Sequence, residues 1–346
     1  MARLGLGLIG CGGIARSAHL PAMAALASRV VLRAAADPDL DAARRAAEPW
    51  SAEAFADWPA VLADPDVQAV VIASPEFFHP DQVVAAAEAG KHVLCEKPMA
   101  RSLAEADRMI GACARAGVHL IIGHSRRFTR RYLAVREALD RGEIGTVRLF
   151  RENERRARTK PQVWWVPGHW TGDPAISGGA PMMNAIHETD LMRWFVGAQP
   201  ETVTAEIGVT IEGNVGVPDF ISLSVRFAGG AIGSAEILNC APPGYPAFHQ
   251  LELYGTEGAI RARDHELTEL VRFSEGGADF PGHYEMLLHN LPAYARELEE
   301  LVNAIEEERP VRMPPSEARA ALQLALAAVR SAREGRTVRV QDEVPA

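Results

Sequence analysis

The sequence predicts an α/β chain in two parts: a doubly wound parallel sheet, followed by an α+β part whose sheet is largely antiparallel. Three observations carry that prediction. Up to about residue 125, apolar strands alternate with alanine-rich helices. Beyond it, strands follow one another across turn signals such as Gly229-Gly230. The length of 346 residues suits two domains, at roughly 150 residues each. The boundaries read as 1–125 and 126–346.

In the first part, strands are expected at 4–9, 30–36, 67–73, 92–95 and 118–122. They are continuous apolar runs, as strands buried on both faces require. Helices are expected at 14–27, from 40 to 47 and at 81–89. A further helix starts at a Ser102/Glu105 capping box and stops at Gly117. In the second part, helices are expected at 132–141 and 181–195, with an irregular stretch at 152–177. Strands are expected at 147–151, 202–211, 220–227, 231–238 and 251–254, with shorter ones to residue 273. Helices at 291–308 and 317–333 precede a last strand at 338–340.

Composition narrows the function classes. With 48% apolar and 23% charged residues the chain is ordinary globular material. A net charge of −9 argues against a dedicated nucleic-acid binder, which needs a basic surface. Cys11, Cys95, Cys113 and Cys240 lie far apart, so no zinc site or disulfide framework is expected and a reducing cytoplasm fits. No apolar run reaches the ~18 residues of a membrane span. Arg3 and the apolar stretch after it could mimic a signal peptide, but five glycines between Gly5 and Gly13 suit a strand and loop instead.

The most informative segment is Gly10-Cys11-Gly12-Gly13-Ile14-Ala15, which fits G-x-G-x-x-G/A between a strand and a helix. Gly10 permits the tight turn, Gly12 lets the backbone approach a pyrophosphate, and Ala15 lets helix and strand pack closely. The helix N-terminus offers N–H groups and a positive dipole end to phosphate. Asp37 ends the second strand, 22 residues past Ala15, where a carboxylate accepts from adenosine ribose hydroxyls and repels a 2′-phosphate. NAD is therefore favoured over NADP. Asp37-Pro38 also reads as a helix N-cap followed by proline, and one residue can serve both roles.

Ser74-Pro75 with His79, and Glu96-Lys97-Pro98 after the fourth strand, extend the pattern. So do Arg127-Phe128, Gly142-Glu143-Ile144-Gly145, Gly178-Gly179 and His187-Glu188-Thr189-Asp190-Leu191. With the glycine loop these make the chain resemble, over nearly its whole length, the Gfo/Idh/MocA family of NAD(P)-dependent oxidoreductases. The resemblance implies a Rossmann domain followed by a domain with an open-faced sheet. It implies a cofactor site of Gly10, Gly12, Gly13, Ile14, Asp37, Ser74, Pro75, His79, Glu96, Lys97 and Pro98, with Lys97-Pro98 as a cis bond. Lys97 and His187 are implied as the catalytic pair, with Asp190 at i+3 from the histidine as a third catalytic candidate. Substrate contacts are implied for Lys97, Arg127, Trp165, Asn184 and His187. A metal is not expected.

The chain departs from the family at one place. Sugar and inositol dehydrogenases of this kind usually carry an aspartate four residues before the histidine; here that position is Met183, with Asn184 beside it. An amide cannot stabilise an imidazolium as a carboxylate does, so either Asp190 substitutes or the site runs without such a partner. The basic segment Arg151, Arg155, Arg156, Arg158 and Lys160, leading to Trp164, Trp165, His169 and Trp170, suits either a sugar pocket or a solvated or inter-subunit loop.

The expected activity is hydride transfer between NAD and a secondary hydroxyl of a sugar, sugar acid or cyclitol. An NAD-dependent glycoside hydrolase and a non-enzymatic dinucleotide-bound regulator are the alternatives on this fold. On the 220–227 strand Ile221, Leu223, Val225 and Phe227 form an apolar face, which the helices at 181–195 and 291–308 are expected to cover. The other face, together with Ala231, Gly233, Ala235 and Ile237 on the next strand, is expected to stay poor in charge and to join copies into a homodimer or homotetramer.

Overall fold

The structure is a computed structural model that describes residues 3–157, 170–173, 176–210, 216–242, 244–245, 248–264, 269–274, 277–279 and 292–344. It divides into two compact units, 1–129 with 290–319 and 345–346, and 130–289 with 320–344.

The first unit holds a six-stranded parallel sheet in the order β3-β2-β1-β4-β5-β6. Its strands are β1 (Leu4–Ile9), β2 (Val30–Ala36), β3 (Glu53–Phe55), β4 (Ala69–Ile72), β5 (His92–Glu96) and β6 (Leu120–Gly123). β3 has no counterpart in the sequence reading, because a three-residue edge strand carries no apolar run. The order reverses between β1 and β4, the position at which open α/β sheets bind ligands. Helices α1 (Leu20–Ala25), α2 (Leu40–Ala47), α3 (Pro59–Ala63), α4 (His79–Glu88) and α5 (Leu103–Ala116) make the connections. The helix expected from 14 begins instead with a π-turn at Ala15–His19, in which the Leu20 N–H donates to the Ala15 carbonyl. Pro21 lies just after this turn and has no N–H to continue a regular ladder. The Ser102/Glu105 capping box forms as expected, with Gly117 in the left-handed conformation after the last turn of α5.

The second unit holds a nine-stranded sheet in the order β14-β13-β12-β11-β7-β10-β9-β8-β15. Its strands are β7 (Val147–Ala157), β8 (Pro200–Gly208), β9 (Phe220–Phe227), β10 (Ile232–Ala241), β11 (Phe248–Gly255), β12 (Ala259–Asp264), β13 (Glu269–Ser274), β14 (Gly277–Asp279) and β15 (Val338–Arg339). β7 and β10 run parallel and the other pairs antiparallel, so the sheet is mixed. Helices α6 (Arg130–Asp140), α7 (Gly179–Met183) and α8 (Ala185–Val196) belong to this unit. Helix α9 (Ala293–Glu306) belongs to the first unit, and α10 (Pro315–Glu334) joins the second from Ala320 onward.

Three expectations need correction. Residues 290–319 return to the first unit, because Leu298, Leu301, Val302 and Ala304 of α9 are buried among Leu4, Leu26 and Val30. The apolar sheet face of the second unit is therefore covered by α6, α8 and α10, through Tyr132, Val135, Met192, Phe195, Leu324 and Ala328. Ala231, Ala235 and Ile237 lie on that covered face, where Ala235 pairs with Leu223 and Ile237 with Ile221. The opposite face carries Ser224, Ser234, Arg151, Arg155, Glu236 and Glu252, with ion pairs Arg155–Glu236 and Arg151–Glu252. It is charged rather than charge-poor.

Candidate active site

The glycine loop is built by close packing of strand ends. Gly10 has φ +90°, and a Cβ there would stand 2.6 Å from the Ser74 nitrogen, so only glycine fits between the ends of β1 and β4. At Gly12 and Gly13 a Cβ would meet nothing within 4 Å, which leaves open space before the helix turn. Asp37 closes the loop from the side. Its Oδ2 accepts the Cys11 N–H at 2.8 Å and its Oδ1 accepts the Asp39 N–H at 2.9 Å. The cap of α2 is Asp39, which accepts from Asp41 and Ala42, so the N-cap reading of Asp37 is corrected. Burial, with the Asp37 charge adding, pushes the Cys11 thiol up to about 12. The open space, the helix start and the anchored carboxylate fit a dinucleotide.

At the carboxyl end of β5, Glu96 is buried. Its Oε1 lies 2.9 Å from His19 Nε2 and its Oε2 accepts the Lys97 N–H at 3.1 Å. Burial works against its charge, yet His19 and Lys97 hold it below the ordinary carboxylate value. The Lys97–Pro98 bond is cis. His79 is also buried, with Nε2 at 2.9 Å from the Ser74 carbonyl and Nδ1 at 2.9 Å from that of Pro98. It thus braces the loop after β4 against the Lys97-Pro98 segment. Ser74 Oγ donates to Gln82, and Pro75 precedes the short turn Glu76–Phe78. Glu76 is buried beside Lys97; burial raises its pKa while Lys97 and Arg101 oppose. Arg127 is buried and reaches Glu317 at 3.5 Å. His19 and Glu76 escaped the sequence reading, since nothing local marks a side chain whose partner is 77 residues away.

In the second unit, Gly179 has φ +60°, and a Cβ there would stand 2.4 Å from the Pro218 carbonyl oxygen. The Ala180 N–H donates to that oxygen at 2.7 Å, which fixes the start of α7. Asn184, between α7 and α8, accepts from Asn239 Nδ2 at 2.8 Å. His187 and Asp190 follow one turn apart on α8, 8% and 1% exposed. Thr189 Oγ1 donates to Ala321 of α10, which ties the helix down. Trp165, Arg158, Lys160, Trp164 and His169 lie outside the described residues.

Under α8 lies a cluster the sequence reading missed. Glu152 of β7, Glu188 of α8 and His249 of β11 bring one ligand-type atom each within 4.8 Å of one another, all buried. His249 Nε2 is 2.8 Å from Glu152 Oε1 and 3.8 Å from Glu188 Oε1. Tyr132 donates to Glu152 Oε1 at 2.8 Å, and Arg131 Nη2 lies 2.9 Å from His249 Nδ1. The guanidinium, stacked 4.3 Å over the Tyr132 ring, already supplies the cation. It also donates to Nδ1, which directs the Nε2 proton toward Glu152 rather than leaving that nitrogen free for a metal. The sequence signal was available: on β7, Glu152 and Glu154 alternate in phase with buried Phe150.

The class defined by this fold and glycine loop is a dinucleotide-binding oxidoreductase. Residues 4–124 match the oxidoreductase family with an NAD-binding Rossmann fold, and 132–261 match the Gfo/Idh/MocA C-terminal domain. Myo-inositol 2-dehydrogenase of Thermotoga maritima is 30% identical over 319 residues, 91% of this chain and 92% of that protein. Levoglucosan dehydrogenase of Pseudarthrobacter phenanthrenivorans is 31% identical over 320 residues, 82% and 79% of the two chains. A structure of levoglucosan dehydrogenase with NADH and L-sorbose superposes with a TM-score of 0.87 at 27% identity, covering 98% of this chain and 99% of that one. The chain belongs to the Gfo/Idh/MocA family of NAD-binding oxidoreductases.

Proposed function

We propose that the protein is an NAD-dependent dehydrogenase acting on a secondary hydroxyl of a sugar, sugar acid or cyclitol. The observation that carries this reading is Lys97 at the carboxyl end of β5, with Glu96 and Glu76 buried behind it, in a chain whose relatives act on such polyols. Gly10, Gly12, Gly13, Ile14 and Asp37 would hold NAD, which supplies the hydride acceptor when bound. Ser74, Pro75 and His79 shape the neighbouring loop. His187 takes the hydroxyl proton through its neutral imidazole, and Lys97 stabilises the alkoxide as that proton leaves. Asp190 supports His187, while Arg127, Asn184 and Trp165 contribute to the substrate pocket.

A panel of sugars, sugar acids and inositols, read by NADH absorbance, identifies the substrate. On that substrate Lys97→Ala and His187→Ala each lose about 10²-fold or more in rate, while calorimetry still finds NAD bound. Near wild-type turnover in His187→Ala removes it from the proton transfer. Free sugar release from a glycoside without net NADH indicates the hydrolase instead.

We also infer a homodimer or homotetramer, joined through the uncovered sheet face, in the cytoplasm. Four free cysteines, three of them buried, suit a reducing compartment. No helix among the described residues is long and apolar enough to cross a membrane. The sheet face is broad but charged, so its interface would be wet and salt-sensitive. Light scattering at micromolar concentration should give a multiple of 37.4 kDa; the single-chain mass excludes assembly.

A further inference from the structure

Lys97 follows a glutamate whose carboxylate is fixed from three sides. Glu96 is 4% exposed. Its Oε2 accepts the Lys97 N–H at 3.1 Å, and its Oε1 lies 2.9 Å from His19 Nε2. An ionised carboxylate only accepts, so His19 is the donor of that bond. On β6 the residue paired with Glu96 is Gly123, where a Cβ would stand 3.3 Å from Oε2. The absent side chain leaves the space that the carboxylate fills.

His19 reaches Glu96 through the π-turn at Ala15–His19. This turn holds one residue more than an α-turn, and one extra residue rotates the following side chains by about 100°. Arg16 and Ser17 stay exposed, whereas His19, at the end of the turn, is buried. Tyr294 of α9 meets the imidazole edge-on, with ring centroids 5.2 Å apart. The ring is thus held between α9 and the end of β5, with Nε2 on the carboxylate.

Among the described residues, the Glu96 charge also acts on His79 of α4, Cys95 of β5, and Tyr294 and Glu297 of α9. Burial lowers the pKa of His79 and raises those of the other three, so all four are uncharged near neutral pH. Glu76, from the turn before α4, lies beside Lys97 and is raised by burial as well. Burial works against Glu96 too, yet His19 first and Lys97 second hold it below the ordinary carboxylate value. Glu96 is therefore a fixed negative charge behind Lys97, and His19 is what lets a buried carboxylate keep it.

We propose that His19 is a positioning residue for Lys97: its ring fixes the Glu96 carboxylate against Lys97, so that the lysine meets the substrate hydroxyl as a cation of set position. The inference rests on the reading of Lys97 as the group that stabilises the alkoxide. A cation does so better than a neutral amine, and an opposite charge beside it favours the charged form. Without His19 the buried carboxylate takes up a proton, and the lysine loses its counter-charge.

The test uses the scarcity of lysine. The chain has three, Lys91, Lys97 and Lys160, so lysine-labelled full-length protein gives a sparse NMR spectrum in which Lys97 is identified by its loss in Lys97→Ala. In His19→Ala the Lys97 signal gains a titration step between about pH 5 and 8, where Glu96 takes up its proton. Neither wild type nor the double variant His19→Ala with Glu96→Gln shows that step. With NAD and the polyol selected by NADH absorbance, His19→Ala loses about tenfold in kcat at pH 7, the scale of one charge-assisted hydrogen bond. The acid limb of kcat moves up by about one unit, and KM changes less. His19→Gln keeps an N–H donor at the reach of Nε2, so it restores the limb and abolishes the step. A folded His19→Ala whose Lys97 signal and acid limb match wild type overturns the proposal, as do equal shifts in the Ala and Gln variants. Should His19→Ala not fold, His19→Asn, whose amide is too short to reach Glu96, takes its place under the same criteria. Undiminished turnover in Lys97→Ala would remove the catalytic reading and the positioning role with it. Failure of this proposal alone leaves Lys97→Ala impaired and the Lys97 signal indifferent to His19.

Discussion

At residue scale, Asp37 shows how a side chain is committed before a ligand arrives. Two backbone N–H groups, of Cys11 and Asp39, donate to its separate oxygens, so the carboxylate is fixed in position and rotamer. An anchored charge repels a 2′-phosphate more effectively than a mobile one, because it has no low-cost route of retreat. Asp37→Ala should weaken NAD binding by about tenfold, a lost charge-assisted contact, and should narrow the preference over NADP. Calorimetric titration with both dinucleotides checks it; wild type binding NADP as tightly as NAD would refute the role. The position of Asp37, with its carboxylate on the Cys11 N–H of the glycine loop, was legible in the sequence because it depends only on spacing from that loop. The distinction between Asp37 and Asp39 as cap was not, since both carboxylates stand beside Pro38 and only the backbone conformation selects between them.

At the scale of elements, local signals can suffice where both partners lie within one turn. The α5 start is such a case: Ser102 Oγ accepts the Glu105 N–H at 3.2 Å and Glu105 Oε2 accepts the Ser102 N–H at 3.1 Å. Ser102→Ala should cost about 1 kcal/mol of stability, read as a lower denaturant midpoint with unchanged slope; a cost near zero would mean that the helix start is held by packing alone. Signals failed where an element's partner is distant in sequence. The α9 pattern announces an amphipathic helix but not the sheet it covers, and it packs on strands nearly 300 residues earlier in the chain. The uncovered face of the second sheet was misjudged for a related reason. Period two separates the faces of a single strand, but the register between β9 and β10 decides which of their faces coincide.

At the scale of the whole molecule, burial of titratable groups in the first unit gives its stability a pH dependence from both sides. His92 of β5 stacks on His119 at 5.0 Å, and burial with the His119 charge lowers its pKa to about 4. The unfolded chain takes up that proton near ~6.5, so His92 supports folding above that pH and its contribution is lost as pH falls toward 4. Glu297 of α9 behaves oppositely. Its carboxyl is wholly buried, neither oxygen has a hydrogen-bond partner among the described residues, and burial with the nearby Glu96 charge raises its pKa well above the ordinary value. Folded chain keeps this proton while unfolded chain releases it near ~4.3. Its effect is therefore absent at low pH and costs stability progressively as pH rises toward the folded value. Glu297→Gln keeps the shape and removes the titration. Its advantage over wild type should be smallest near pH 5 and should widen by pH 8, measured as the difference in denaturant midpoint. A constant difference across that range would show that Glu297 ionises alike in folded and unfolded chain, and that the carboxyl has found a partner outside the described residues.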